Sequence, residues 1–351
     1  MMSVKKDAAE IPLLSVDLMN RWQRDFPIVE KPFVFIAHQH GVQPQEVMQH
    51  YQNCMADGVL SRVGAVFHPS AGGASTLAAI EASESQLEHL VQQVSSFEGV
   101  NHNYIREHSI NIWFVITAAN EHALHRAIQE LERITSHTVL TFPMVKAYRL
   151  NLAFDVTKDL PHQTTNGGVD KTVFTVPKQD EELAALMEEG LPVVEQPFAE
   201  WAQKLGRTAD EVMKTLRSWL EVGLVRRFGN VLRHHELGFI SNAMTVFQVP
   251  EFELDAAAQS LALCPEVTLI YQREPHLRWP YNLYCMVHGK DRLQVEKVIR
   301  QIRESTMMSA YPCQVLFSKQ RLKQTGGSKF RLRVRSQSAV GNEEVKHVYA
   351  F

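Results

Sequence analysis

The sequence predicts an α+β protein made by tandem duplication. Each copy is a winged helix-turn-helix domain followed by a ferredoxin-like βαββαβ domain. Three observations predict this. First, residues 27–66 align without gaps to 192–231, with 14 of 40 positions identical, among them Pro32, Phe33, Gly41, Gly58, Arg62 and Gly64. Such self-similarity must be read before anything else, because it sets the architecture. Second, each copy opens with two short helical segments and a strand. Third, the remainder of each copy alternates in the order βαββαβ.

The elements follow in order. In the first copy helices are expected over 32–40 and 44–57, split at Gly41-Val42-Gln43, then a strand over 59–67. In the second they are expected over 197–205 and 208–222, split at Gly206-Arg207, then a strand over 224–232. Thr208 with Glu211 forms a capping box, and Gly58 and Gly223 stand where a helix C-terminal glycine belongs. The first ferredoxin-like unit reads as strand near 76–81, helix 84–96, strands 99–106 and 110–117, helix 120–134 and strand 138–149. The second reads as strand 241–249, helix 253–263, strands 266–273 and 281–288, helix 290–304 and strand 311–318. Further matches keep the order: Tyr104-Ile105-Arg106-Glu107 with Tyr271-Gln272-Arg273-Glu274, Asn111-Ile112-Trp113 with Asn282-Leu283-Tyr284, and Phe142-Pro143 with Tyr311-Pro312. The expected domains are 21–70 and 71–156, a Gly, Pro and Thr-rich linker 157–178, then 179–235 and 236–318, and a basic tail 319–351. Pairing of the two sheets within the chain would give a pseudo-dimer with a cleft near its interface.

Composition removes several classes. The 351 residues are 45% hydrophobic and 21% charged, with a net charge of −3, an ordinary globular balance. No run of apolar residues reaches the roughly 18 needed to span a membrane, and no signal core follows the N-terminus, so a cytoplasmic protein is expected. The four cysteines are scattered with no Cys-x-x-Cys, which argues against a disulfide scaffold or a cysteine-held metal. DNA binding is disfavoured too. A recognition helix needs Lys and Arg for phosphates and base edges, yet 43–57 contains neither, and 195–223 carries four bases against five acids. By contrast 319–335 holds seven bases and no acid. That stretch reads as a solvated tail or as a clamp for an anion.

Two constellations carry chemistry. Strand alternation puts His102, Tyr104, Arg106 and His108 on one face. The face is either solvated or a site offering Arg for carboxylate, Tyr for hydrogen bonding and His as acid or base. The second copy offers Tyr271, Arg273, His276, Arg278, Trp279 and Tyr281, with Leu269 where the first has His102. The other cluster is Arg226, Arg227, Arg233, His234 and His235, costly to crowd without an anion unless the hairpin is solvated. No metal-binding motif, phosphate loop or nucleophile elbow competes.

At these residues the chain resembles the siroheme decarboxylases, relatives of the leucine-responsive (AsnC-type) regulators, in a fused two-subunit form. The first-subunit pattern is Asn101-His102-Asn103-Tyr104-x-Arg106-Glu107, Asn111-x-Trp113-Phe114 and Phe142-Pro143-Met144. The second-subunit pattern is Arg226-Arg227-Phe228-Gly229-x-Val231-Leu232-Arg233-His234, Tyr271-Gln272-Arg273 and Trp279-Pro280-Tyr281-Asn282. The resemblance covers roughly 21–330. It departs at Leu269, where the second-subunit pattern usually has His. It implies removal of CO2 from two acetate side chains of siroheme to give didecarboxysiroheme in haem d1 biosynthesis, with no organic cofactor and the iron belonging to the substrate. His102, Tyr104, His108 and His234 would be catalytic. Arg106, Asn111, Trp113, Arg226, Arg227, Arg233, His235, Tyr271, Arg273, His276, Trp279 and Tyr281 would bind substrate, and a histidine could serve as axial ligand to its iron. Homo-oligomers, or assemblies with related subunits, are the partners it implies, with neither nucleic acid nor membrane. A non-catalytic tetrapyrrole-binding subunit and a ligand-sensing regulator stay open as alternatives.

Overall fold

A computed structural model describes residues 13–68, 71–150, 174–233, 241–305, 307–325 and 329–334. The first helical layer holds α1 (Leu13–Arg21), α2 (Pro32–His40) and α3 (Pro44–Ala56), then strand β1 (Leu60–Phe67). The first ferredoxin-like unit has β2 (Ala74–Glu81), α4 (Glu84–Ser96), β3 (Val100–Arg106), β4 (Ile110–Ala118), α5 (Glu121–Thr135), β5 (Leu140–Phe142) and β6 (Met144–Leu150). The second copy repeats the plan. It has α6 (Glu181–Glu189), α7 (Pro197–Leu205), α8 (Ala209–Glu221) and β7 (Val225–Leu232). Then come β8 (Ser241–Phe247), α9 (Leu254–Ala262), β9 (Val267–Arg273), β10 (Leu283–Gly289), α10 (Arg292–Ser305) and β11 (Cys313–Gln324).

Local signals set these boundaries. Pro32 and Pro197 occupy the first turn of α2 and α7, where a missing N–H costs nothing. Gly41 and Gly206 close the same helices with left-handed backbone, φ 66° and 62°, a conformation that penalises any Cβ. The Thr208–Glu211 capping box starts α8, and Gln43 with Glu46 makes an equivalent box at α3. Helices α1 and α6 were not among the expected elements. Their ends pass so close to the other copy's strand that only glycine fits beneath them. A Cβ on Gly229 would meet Trp22 O and lie 2.7 Å from Gln23 O; one on Gly64 would lie 2.7 Å from Met187 O.

Among the described residues each winged-helix region contributes one strand, and β1 pairs antiparallel with β7 of the other copy. The wing expected within each copy is therefore shared between copies. Both helical layers fuse into a single core that includes Phe33, Tyr51, Phe198, Trp201 and Phe228.

The remaining strands form one nine-stranded sheet in the order β5-β2-β4-β3-β11-β8-β10-β9-β6. The strand expected over 138–149 is broken at Pro143, which has no N–H for the ladder. Its first part, β5, pairs with β2 of its own copy, and its second part, β6, pairs with β9 of the other. Strand β11 does the same without a break. Residues 313–317 pair with β8 and 318–324 with β3. Residues 319–324 thus belong to the sheet and are no solvated tail.

Two seams join the copies, β3/β11 and β9/β6. The pairing also corrects the repeat. Phe142 sits opposite Leu77 and Leu316 opposite Met244, so Phe142 corresponds to Leu316 rather than to Tyr311. Helices cover the outer face of each half around cores containing Leu90, Val94, Phe114 and Leu131 in one, and Phe247, Leu261, Leu283 and Ile299 in the other. A fourth core lies between the halves: Trp113, Phe142, Met244, Val246, Trp279, Tyr284 and Leu316.

Candidate active site

Alternation on β3 sorts its side chains. Asn103 Nδ2 donates to Ser95 Oγ of α4 at 2.9 Å and Ile105 joins the helix-side core. His102, Tyr104 and Arg106 therefore face the space between the halves. Tyr104 lies opposite Trp113 of that central core. On β9, Ile270 goes to the helices while Tyr271 packs on the central core. The repeat match Tyr104-x-Arg106 with Tyr271-x-Arg273 thus delivers two equivalent Tyr–Arg pairs to one interior. The Arg106 guanidinium lies 5.3 Å from the Tyr104 ring and that of Arg273 lies 5.2 Å from Tyr271. The geometry repeats further. Arg106 Nη1 donates to Leu316 O at 3.0 Å, and Arg273 Nη1 donates to the equivalent Phe142 O at 2.7 Å.

These cations are costly. Burial lowers Arg106 to about 10 and lowers Arg273 as well, since removing a charge from water disfavours it. Neither has a carboxylate partner among the described residues, and the Nε of each is buried without a hydrogen bond. Arg226, half-buried, lies nearby. Its charge is felt by Tyr271, and its Nη1 is buried without a partner among the described residues.

The histidines here are held neutral. Burial pushes His102 down to about 4, and burial with the Arg106 charge does the same to His288 on β10. His288 Nδ1 lies 3.0 Å from Thr268 Oγ1. Burial also pushes the Tyr271 hydroxyl up to about 12. Yet His102, Tyr104, Tyr271, Arg273, Met286 and His288 all keep some accessible surface. Strong desolvation with residual accessible surface fits side chains lining an internal space rather than an outer sheet face.

Other expected residues lie elsewhere. Strand β3 ends at Arg106, so His108 is off the expected face; it accepts from Ile110 N–H through Nδ1 at 3.0 Å and lies edge-on to Trp279. Asn111 is occupied on both sides by the Ala82 backbone, as Asn282 is by Val249. Trp113 and Trp279 are core residues, 1% and 2% exposed, with Trp113 stacked on Phe142. Tyr281 lies against Trp279, and His276 forms a turn whose backbone bridges to Trp279. Arg278 pairs with Glu81 of the first copy.

Arg227 faces the helical layer, donating to Gln23 O at 2.8 Å and Asn230 O at 3.4 Å. Arg233 Nη1 donates to Gly58 O at 3.2 Å. Expected as carboxylate ligands, both are engaged with backbone carbonyls. His234 and His235 lie outside the described residues. Sequence reasoning missed Tyr284 and His288, although the alternation applied to β3, run along β10, places both inward. Among the described residues no group of three His, Cys, Asp or Glu is placed to hold a metal ion, and no helix is long and apolar enough to cross a membrane.

Comparison with known proteins bears on this geometry. A family model described as the siroheme decarboxylase NirDL-like HTH domain matches residues 16–60 and 180–226. One described as the AsnC-like ligand binding domain matches 70–149 and 236–323. The chain is 32% identical over 317 residues to the siroheme decarboxylase NirDL subunit of Paracoccus denitrificans, covering 90% of this chain and 97% of that one. It is 27% identical to the siroheme decarboxylase of Hydrogenobacter thermophilus, covering 86% and 90%. The NirD subunit of Pseudomonas aeruginosa matches 40% of the chain at 40% identity. A crystal structure of the siroheme decarboxylase NirDL shares the fold, with a TM-score of 0.66 at 23% identity over 93% of this chain and 99% of that chain.

Proposed function

The chain belongs to the NirDL siroheme decarboxylase family, and from that premise we propose that it decarboxylates siroheme in the space enclosed between the halves of its sheet. Two acetate side chains lose CO2 and become methyl groups, giving didecarboxysiroheme. The observation that carries this reading is the set of buried guanidinium groups with no carboxylate partner among the described residues. An uncompensated interior charge is unfavourable, so Arg106 and Arg273 call for an anionic partner. A macrocycle ringed with carboxylates supplies it. Arginine suits the task because its planar fork meets a carboxylate through two parallel hydrogen bonds.

The remaining lining residues have complementary roles. Tyr104 and Tyr271 present aromatic faces to a flat, apolar ring and keep water away from it, and Tyr284 backs them from the central core. When CO2 leaves, the electron pair of the broken C–C bond is delocalised into the macrocycle, and the side-chain carbon then takes a proton. His102 is the proposed donor, a role for which histidine's proton affinity is suited. Held neutral by burial, it gains a proton as the substrate's carboxylates arrive and offset its desolvation. The iron is the substrate's own, and the proposed chemistry draws no organic cofactor from the protein.

The test is anaerobic mixing of purified protein with siroheme, followed by mass spectrometry. Loss of two CO2 per macrocycle is expected. Tight binding with no change in mass would sink the catalytic reading and leave a carrier.

A further inference from the structure

The two seams follow the same plan and differ in chemistry. In β3/β11, Gln324 lies opposite His102, Arg321 opposite Tyr104 and Ser318 opposite Arg106. In β9/β6 the matching pairs are Leu150 with Leu269, Ala147 with Tyr271 and Met144 with Arg273. Even the bulges coincide, at 318/320 and 321/323 in one seam and 144/146 and 147/149 in the other. Each partner-strand position is polar in the first seam and apolar in the second.

Directly opposed residues of an antiparallel pair project to the same side of the sheet. Arg321 therefore shares the inward face of Tyr104. Its charge is felt by the Tyr104 hydroxyl, together with that of Arg106. It is only partly buried, and one Nη donates to Gln324 Oε1 at 3.0 Å. The neighbouring bases do otherwise. Lys323 turns to the helix side, where its Nζ donates to Ser95 O at 2.9 Å, and Lys319 is exposed. The equivalent position in the second seam, Ala147, is 1% exposed and carries no group that could bind an anion.

We propose that Arg321 is a carboxylate-anchoring residue of the first seam, supplied to the site of one copy by the last strand of the other. The proposal rests on the functional reading above and adds a residue to it. It makes the site composite. His102, Tyr104 and Arg106 come from the first copy, and Arg321 with the Gln324 that steadies it comes from the second. It also explains why β11 must run on past its own domain, since a strand ending at residue 318 would leave the seam without this cation.

The experiment is an anaerobic absorbance titration of Arg321→Gln, Arg321→Lys and the unaltered protein with siroheme and with didecarboxysiroheme, with thermal unfolding as control. Losing one charge-assisted bond should weaken siroheme binding by roughly 10–100-fold in Arg321→Gln, with the unfolding midpoint little changed. Lysine should recover only part of it, lacking the fork. Equal loss for both ligands assigns Arg321 to a carboxylate that survives the reaction. Loss confined to siroheme assigns it to an acetate that is removed. Unchanged affinity for both ligands, with Arg106→Gln clearly weakened, would overturn the assignment of Arg321 alone. An unaltered protein that binds no siroheme would overturn the functional reading and this one with it.

Discussion

Arg106→Met should leave the ligand-free protein as stable as before, or slightly more so, while sharply weakening its affinity for siroheme. Arg106 is 5% exposed, and burial lowers its guanidinium from 12.5 to about 10. At neutral pH, below both values, that penalty is fully present, and it amounts to roughly 3 kcal/mol. Methionine has a similar length and removes the charge. Against this gain stand the bond to Leu316 O, worth about 1–2 kcal/mol including the carbonyl left unpaired, and the cation over the Tyr104 ring, worth roughly 0.5–1 kcal/mol. The balance lies between zero and a gain of about 1.5 kcal/mol, a midpoint rise of at most roughly 2 °C for a chain of this size. Siroheme should behave oppositely. Removing one partner of a buried charge pair costs about 2–5 kcal/mol, so affinity should fall roughly 30-fold or more. Thermal unfolding of the empty protein and a siroheme titration read the two effects separately. A variant destabilised by several degrees yet binding normally would show that Arg106 holds the seam together and takes no part in holding the ligand.

Other variants test other links. His102→Ala should keep the fold and lower turnover by roughly 10²–10⁴, the range for a positioned general acid; single-turnover rates near normal would remove His102 from the mechanism. Glu188, 6% exposed, is raised by burial to about 7 while accepting the N–H groups of Phe330 and Arg331. Its folded value exceeds the ordinary one, so its contribution to stability is fully present below about 4.5 and is lost as pH rises through about 7. Glu188→Gln should flatten the dependence of the unfolding midpoint on pH across that window, and an unaltered slope would mean the carboxyl is not strained. Gly229→Ala should destabilise by roughly 2–4 kcal/mol, because its Cβ must displace the Trp22 and Gln23 carbonyls; a midpoint within 1–2 °C of the unaltered protein would refute that contact.

The fold was legible where a local rule acts alone. Proline at a helix start, glycine at its end and the capping box at Thr208 placed α2, α7 and α8 to within a residue or so. Alternation on β3 identified His102, Tyr104 and Arg106 as one face, and the repeat carried that face to Tyr271 and Arg273. What escaped depends on which strand meets which. Nothing local in 313–324 says that a strand leaving its own sheet continues into the other, so Arg321 read as part of a basic tail. Arg226 and Arg227 are adjacent and look equivalent in sequence. One turns toward Tyr271 and the other into the helical layer. Asn111 and Trp113 matched the repeat because the fold needs them in both copies. Asn111 ties β4 to the end of β2, and Trp113 fills the central core.

The difference between the seams gives the duplication a physical rationale. Two identical copies would offer two identical sites, each asking a large anionic macrocycle to enter the same enclosed space from opposite ends. Here the first seam has His102, Gln324 and Arg321, while the second has Leu269, Leu150 and Ala147 at the corresponding positions. Two cations, Arg273 and Arg226, remain near Tyr271 at the second seam, and on the proposed function they meet other carboxylates of the substrate. A ligand whose carboxylates are spread around its rim would then be gripped at both seams, with the proposed proton donor His102 at the first. Fusing the copies fixes this asymmetry in the chain, because β11 must come from the copy that lacks the histidine in order to complete the copy that has it.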